Sequence, residues 1–245
     1  MIFAFLSGAW AFTSYYLRFV FLGLFAVAVL RSNRSVSNTT WSGRFLWWTP
    51  AIVLITILDV LAIQARFYPG TPVELSFPLK SGTFYVLQGG ANALANPFHG
   101  STERYALDLV KLNSVGNRAS AIAPENLNAY ATYGEAVHSP CTGKVIAARD
   151  GLPDNSPGRS DAGHPEGNHV LLRCGDASVL LAHLMGGSIR VETGGEIEAG
   201  APLARVGNSG NTSEPHLHIS AEQRSASVPL AFGGATIAIN DTTTQ

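Results

Sequence analysis

Hydrophobic and polar positions are distributed unevenly along the chain, because the first 66 residues are far more apolar than the remainder. Residues 1–30 are apolar apart from Arg18 and a short polar patch, which predicts a first membrane-spanning segment. Leu46 to Gln64 is a run of nineteen residues with one formal charge. As a helix it would cover about 28 Å of a hydrocarbon layer roughly 30 Å thick. The pattern therefore predicts a second span over residues 46–66.

The loop between these two apolar segments, residues 31–45, contains three arginines and no acidic residue. Positively charged loops stay in the cytoplasm, so we expect residues 67–245 on the outer side of the cytoplasmic membrane. Asp59 lies inside the second apolar run, where a carboxylate is costly. We interpret it as a helix-packing residue, with an intramembrane functional contact as the alternative.

The pattern changes over residues 67–238 to short β-type runs separated by glycine, proline, asparagine and aspartate. The runs are VELSF, TFYVLQ, YALDLVKL, GKVIAARD, HVLLRC, SVLLAHL, SIRVE, PLARVG and HLHISAE. None has helical periodicity over three turns, which favours an all-β domain, followed by a tail over residues 239–245. Residues 150–168 form a long loop with three prolines and four glycines, and such loops are often functional.

Composition and charge narrow the possible functions. Sixteen basic and seventeen acidic residues give a net charge of -1, which argues against nucleic acid as a partner. Cys141 and Cys174 are the two cysteines, and both lie in the part expected outside the cytoplasm. We expect them to form a disulfide; two buried thiols are the alternative, and paired metal thiolates are disfavoured because there is no C-x-x-C.

The strongest chemical signal is the run Glu214-Pro-His-Leu-His at the head of a predicted strand. Residues two apart in a strand project to the same face about 6.6 Å apart, so His216 and His218 point to one side. His183 and Asp108 lie in apolar runs, where an unpaired imidazole or carboxylate would be expensive to bury. Imidazoles with one carboxylate are the ligand set of catalytic zinc, although two hydrogen-bonded strand histidines remain an alternative.

These motifs resemble the lysostaphin-like, or LytM-type, zinc metallopeptidases that act on peptidoglycan. The resemblance runs from about Phe77 to Glu222 and is carried by RYALDLV, SPCTGKV, GNHVLL, LLAHL and VGNSGNTSEPHLHI. It implies a compact antiparallel β-sheet domain of the duplicated-hybrid-motif type with one zinc ion per chain. It also implies Asp108 and His218 as metal ligands, with His183 and His216 as the catalytic pair.

The sequence departs from the family at one ligand. The usual pattern is H-x-x-x-D, but Arg104 stands four residues before Asp108. The family includes members with a histidine further upstream of RYALD, which implies His99 as the third metal ligand. The turn-like residues between His99 and Asp108 are able to fold back and bring the two together.

The resemblance implies a membrane-anchored metalloendopeptidase that hydrolyses peptidoglycan peptides with a metal-activated water. Its substrate would be the peptide part of the cell wall, and nothing in the sequence identifies a regulatory membrane partner. One alternative is a degenerate LytM-type domain that binds cell wall or activates another wall hydrolase, which Arg104 keeps open. A phosphocarrier domain with two facing histidines is a third interpretation, and Asp108 argues against it.

Overall fold

Two helices precede a β-domain in the computed structural model, which describes residues 14–32 and 44–245. Helix α1 covers Leu17–Ser32 and helix α2 covers Arg44–Gln64, with Pro50 inside α2. Both consist mainly of aliphatic and aromatic residues, which agrees with the apolar pattern of this part of the chain.

The prediction that these two segments span a membrane is wrong. Across residues 14–32 and 44–245, no helix combines the length and the apolar character that a membrane crossing requires. Helix α1 has 16 residues and is about 24 Å long, shorter than a hydrocarbon layer of roughly 30 Å. Helix α2 is longer but begins at Arg44 and contains Pro50 and Asp59. Residues 1–13 and 33–43, on which part of the two-span prediction falls, lie outside the described residues.

The β-domain contains fourteen strands within the described residues. They are β1 Val73–Leu75, β2 Thr83–Gln88, β3 Leu107–Leu112, β4 Ala136–His138, β5 Gly143–Arg149, β6 Asn168–Cys174, β7 Ala177–Leu184, β8 Glu196–Ile197, β9 Pro202–Arg205, β10 Leu217–Gln223, β11 Ala226–Ser227, β12 Leu230–Phe232, β13 Ala235–Thr236 and β14 Thr242–Thr244. Two short 3-10 helices cover Pro97–Gly100 and Leu127–Ala129.

The main sheet has the strand order β14-β2-β3-β10-β7-β6-β5-β8, and β11 pairs with β10. All of its pairings are antiparallel, as expected from the sequence. A smaller sheet, β1-β12-β13, and the pair β4-β9 complete the domain. Strands β3, β10 and β7 lie side by side at the centre of the sheet, and β10 contains His218 of the histidine-rich run.

The core lies against this central part of the sheet. The side chains of Leu109, Leu181 and Ile219 come from three adjacent strands and are fully buried. In β6, buried residues alternate with more exposed ones, as expected for a strand that covers a core with one face. The burial of apolar side chains therefore fixes the register that later positions the polar ones.

Cys141 and Cys174 form a disulfide, which confirms the expected bridge. The bond joins the turn before β5 to the end of β6. The run SIRVE, expected as a strand, has no strand structure. The last residues, expected as a tail, form β14 against β2, with Thr243 opposite Phe84.

The N-terminal helices are attached to the end of the chain. Arg18 of α1 donates a hydrogen bond to the carbonyl oxygen of Asn240, and Arg66, just after α2, forms an ion pair with Asp241. The Tyr15 hydroxyl lies 3.3 Å from the hydroxyl of Thr242. Both ends of the described chain therefore meet beside β14.

Candidate metal centre

Asp108 and His218 face each other across two central strands. The antiparallel register of β3 and β10 places them directly opposite, so their side chains share one face of the sheet. The Oδ1 atom of Asp108 lies 2.9 Å from Nδ1 of His218. Leu109 and Leu217 next to them are paired and fully buried. Their burial fixes the strand register, and this register places Asp108 opposite His218.

His216 reaches the same face two residues earlier. Its Nδ1 donates a hydrogen bond of 2.8 Å to the carbonyl oxygen of Glu214. A carbonyl can only accept, so Nδ1 carries a proton. Burial lowers the pKa of His216, but the carboxylate of Asp108 outweighs it and raises the pKa. Nε2 lies 3.4 Å from Oδ1 of Asp108, which places both histidines of the run beside one carboxylate.

His183 joins the group because the backbone of β7 changes direction at its end. Ala182 pairs with His218, so in a regular strand the side chain of His183 would point to the opposite face. His183 instead has φ of 60°, a strained conformation for a non-glycine residue that often marks a functional site. Its ring centroid lies 4.8 Å from that of His216 and 5.7 Å from that of His218.

The segment after Val206 holds the His183 ring in place. The Nδ1 of His183 donates a hydrogen bond of 3.0 Å to the carbonyl oxygen of Ser209, which leaves Nε2 free. The long loop packs closely against this segment, because a Cβ on Gly167 would lie 2.3 Å from the Ser209 oxygen and Gly167 has φ of +58°. A glycine is required here by both the close approach and the backbone conformation.

The resulting group suits a metal ion. His183, His216 and His218 each offer a ring nitrogen, and these atoms lie within 4.8 Å of one another. All three histidines and Asp108 are buried. The Nε2 atom of His218 is buried without a hydrogen bond, so the group is not fully satisfied by the protein alone. Buried imidazoles beside a carboxylate are the donor set that zinc takes in catalytic sites.

Burial and the neighbouring charges both change the pKa values of these groups. Burial, together with the neighbouring His216 and His218, lowers the pKa of His183 to about 3. Burial also lowers the pKa of His218, but the neighbouring carboxylates of Asp108 and Glu103 outweigh it and raise the pKa to about 9. Burial would raise the pKa of Asp108, yet His216 and His218 hold it well below its ordinary value. His183 is therefore neutral and Asp108 ionised at neutral pH.

Among the predicted site residues, the structure brings together Asp108, His183, His216 and His218, and the group of three mutually close histidines does not include His99. His99 lies in the 3-10 helix Pro97–Gly100, with its ring centroid 6.5 Å from that of Tyr105. Its Nδ1 atom is buried and has no hydrogen-bond partner. Its role as a ligand stays a prediction.

Two residues at the site were missed by the sequence analysis. Phe98 packs the edge of its ring against His218, with centroids 5.0 Å apart. Glu103 lies in the turn before β3, and its Oε1 atom is 3.5 Å from Nε2 of His218. Neither residue belongs to a motif of known spacing. Phe98 lies in a short 3-10 helix and Glu103 in a turn, and neither element has a periodic pattern that would identify its residues.

The cluster opens into a cavity of about 220 Å³. A second, wider groove of about 550 Å³ adjoins it and shares Glu103, Glu166 and Leu180 with the cavity. Arg149 and His169 line the far part of this groove. A ligand longer than the cavity therefore has a path along the same face of the sheet.

A buried group of three imidazoles and a carboxylate beside a cavity is the kind of side-chain set that metal-dependent hydrolases use. The sequence model of peptidase family M23 matches residues 126–229. This match confirms the resemblance of the chain to the lysostaphin-like peptidases. The match includes His183, His216 and His218, whereas His99 and Asp108 precede it.

Several solved structures are similar to the chain. A peptidase M23 structure from Pseudomonas aeruginosa is 20% identical, with 72% of this chain and 57% of that one covered and a TM-score of 0.38. A zinc-containing peptidase from Vibrio cholerae is 21% identical, with 67% and 43% covered and a TM-score of 0.40. Lysostaphin from Staphylococcus simulans is 20% identical, with 38% and 37% covered and a TM-score of 0.28.

This chain spans about half the length of the first two of these structures. No curated protein matches it.

Proposed function

We propose that this protein is a zinc-dependent metalloendopeptidase that hydrolyses peptide bonds of peptidoglycan. The observation that carries the proposal is the convergence of Asp108, His183, His216 and His218 in one buried group beside an open cavity. The match to peptidase family M23 supports peptide hydrolysis, and the family resemblance implies the peptide part of bacterial cell wall as the substrate.

Asp108 and His218 would hold the zinc ion. When bound, zinc polarises the scissile carbonyl and lowers the pKa of a water ligand toward about 7. The burial of Asp108 and His218 suits this role, because a dry site strengthens the electrostatic interactions of the reaction.

A catalytic zinc takes three protein ligands and a water, so one further ligand is required. We assign this role to His99, as the family resemblance implies. Its buried Nδ1 atom has no hydrogen-bond partner, and its neighbour Phe98 already contacts the His218 ring.

His183 and His216 would carry the proton transfers. Both have Nδ1 bonded to a backbone carbonyl, which fixes each ring and leaves Nε2 as the reactive atom. One Nε2 accepts the proton of the attacking water, and the other hydrogen-bonds the oxygen that becomes negative in the tetrahedral intermediate. The groove that includes Arg149 would hold the peptide on one side of the cleaved bond.

We also propose that the domain works outside the cytoplasm. The disulfide between Cys141 and Cys174 supports this location, because such bonds persist in oxidising compartments. Peptidoglycan lies on that side of the bacterial membrane.

A second candidate is a domain that binds cell wall without cutting it. The absence of His99 from the group of three mutually close histidines and the presence of Arg104 in the usual ligand place favour this candidate. It predicts a domain with little or no bound zinc.

The proposal is tested with the purified full-length chain. Metal analysis is expected to give about one zinc per chain, and digestion of purified cell wall is expected to release new peptide amino termini. His218→Ala should lose both properties, while His138→Ala, a histidine outside the cluster, should keep them. Full zinc occupancy without any new peptide ends would contradict the enzymatic proposal.

A further inference from the structure

The two ring nitrogens of His218 face two different carboxylates. Nδ1 lies 2.9 Å from Oδ1 of Asp108, and Nε2 lies 3.5 Å from Oε1 of Glu103. An imidazole can offer a lone pair to a metal only from a nitrogen without a proton. Which nitrogen binds is therefore decided by which one keeps its proton.

The structure favours Nδ1 as the metal-binding atom. It faces Asp108, and the Nε2 atom of His216 lies 3.4 Å from the same carboxylate oxygen. A neutral His218 that binds through Nδ1 must carry its proton on Nε2, and that proton needs an acceptor because the atom is buried. Glu103 is the carboxylate beside it.

We propose that Glu103 is a positioning residue, which accepts a hydrogen bond from Nε2 of His218 and so directs Nδ1 toward the metal and Asp108. This inference rests on the proposed function, because it concerns the same metal centre. Carboxylates that orient metal-binding histidines in this way fix the ring and raise its basicity.

Glu103 is itself held in place for this role. The hydroxyl of Ser220 donates a hydrogen bond of 2.9 Å to its Oε1 atom. Ser220 follows His218 by two residues on β10, so the strand directs both side chains to the same face. A movement of about 0.5 Å would bring Glu103 from 3.5 Å to ordinary hydrogen-bond distance of Nε2, and its side chain is 32% exposed. The Glu103 side chain therefore has room to close the gap.

Direct ligation of the same ion by Glu103 conflicts with the geometry. The two nitrogens of an imidazole point away from each other, so an ion bound at Nδ1 is on the opposite side of the ring from Glu103. Binding at Nε2 would release Asp108, the carboxylate that the register of β3 and β10 places against His218. Phe98, packed against the ring, opposes a flip that would exchange the two nitrogens.

The test measures zinc affinity of the full-length chain by competition with a chelator. Glu103→Ala should weaken zinc binding by about 10- to 100-fold. Glu103→Gln keeps an acceptor oxygen and should stay within a few-fold of the unchanged protein. Glu192→Ala, an exposed glutamate in a turn before β8, is the matched control and should not alter zinc affinity.

Cobalt substitution distinguishes positioning from ligation. The visible spectrum of the Co²⁺-loaded Glu103→Ala protein should keep the band pattern of the unchanged protein, because the ligands are the same. A spectrum that shows a lost ligand would overturn the positioning role, and so would unchanged zinc affinity. If Glu103→Ala does not fold, Ser220→Ala carries the test, with a weaker loss of affinity expected and no loss contradicting the proposal.

The outcomes also separate this inference from the proposed function. A Glu103→Ala protein that binds zinc normally and still cleaves cell wall would refute the inference and leave the peptidase intact. An unchanged protein that neither binds zinc nor cleaves would refute both.

Discussion

The conformation of His183 shows how one residue departs from its strand to serve the site. A side chain at this place in a regular β7 would face away from His218, since Ala182 occupies the paired position. The positive φ of His183 brings its ring to His216, and Ser209 fixes the ring by accepting a hydrogen bond. This strain is compensated by the surrounding sheet, as is common at functional sites.

His183→Ala should abolish cleavage without releasing the metal. Removal of a general acid or base lowers the rate of such a reaction by about 10²- to 10⁴-fold. We expect a rate loss of this size in release of peptide amino termini, with one zinc per chain still present by metal analysis. His138→Ala serves as the control. Loss of zinc from His183→Ala would instead identify His183 as a ligand.

His99→Ala tests the third ligand. If His99 completes the zinc site, this variant should lose most of its metal after dialysis against a weak chelator, because catalytic zinc takes three protein ligands. His164→Ala is the matched control, since His164 is an exposed loop histidine paired with Asp161. Full zinc content in His99→Ala would show that His99 is not a ligand.

At the scale of elements, the β-type runs of the domain could be predicted because their residues alternate or are uniformly apolar. Strand β10 was predicted over the run HLHISAE and is found over Leu217–Gln223. Because His216 and His218 are two residues apart, their side chains were predicted to share one face. The pairing of β10 with β3 was not available from spacing, since it joins residues 110 positions apart in the sequence. Family resemblance, rather than periodicity, linked Asp108 to His218.

The failures at this scale also have physical causes. The run SIRVE alternates like a strand, but after the turn at 186–187 it forms no strand, although the N–H of Arg190 donates a hydrogen bond to the carbonyl oxygen of Leu203. Glu103 and Phe98 were missed because irregular segments carry no periodicity. Apolar character alone predicted two membrane spans, although α1 is too short to cross a bilayer.

The disulfide should contribute measurably to the stability of the sheet. It closes a loop with a sequence separation of 33 residues, for which loop-closure entropy corresponds to about 4 kcal/mol. A double variant, Cys141→Ser with Cys174→Ser, should lower the free energy of unfolding in urea by about 2 to 4 kcal/mol. A reducing agent should have the same effect on the unchanged protein and none on the variant. Equal stability of both proteins would contradict this prediction.

At the scale of the whole molecule, the metal links the site to overall stability. The proposed ligands come from separate segments, the 3-10 helix Pro97–Gly100, β3 and β10, so an ion would tie them together. A ligand present at 1,000 times its dissociation constant stabilises the native state by about 4 kcal/mol. Chelation should therefore lower the melting temperature in calorimetry, and added zinc should restore it. His218→Ala should melt at the same temperature with or without chelator.

Strand β14 affects whether the edge of the main sheet is open to pairing with another chain. It covers the outer side of β2, whose backbone N–H and C=O groups would otherwise be free to pair with another chain. A chain that ends after Asp241 keeps the ion pair with Arg66 but lacks this cover. We expect it to self-associate in sedimentation experiments, whereas removal of Gln245 alone should not have this effect. The last few residues would then act as a shield against templated aggregation.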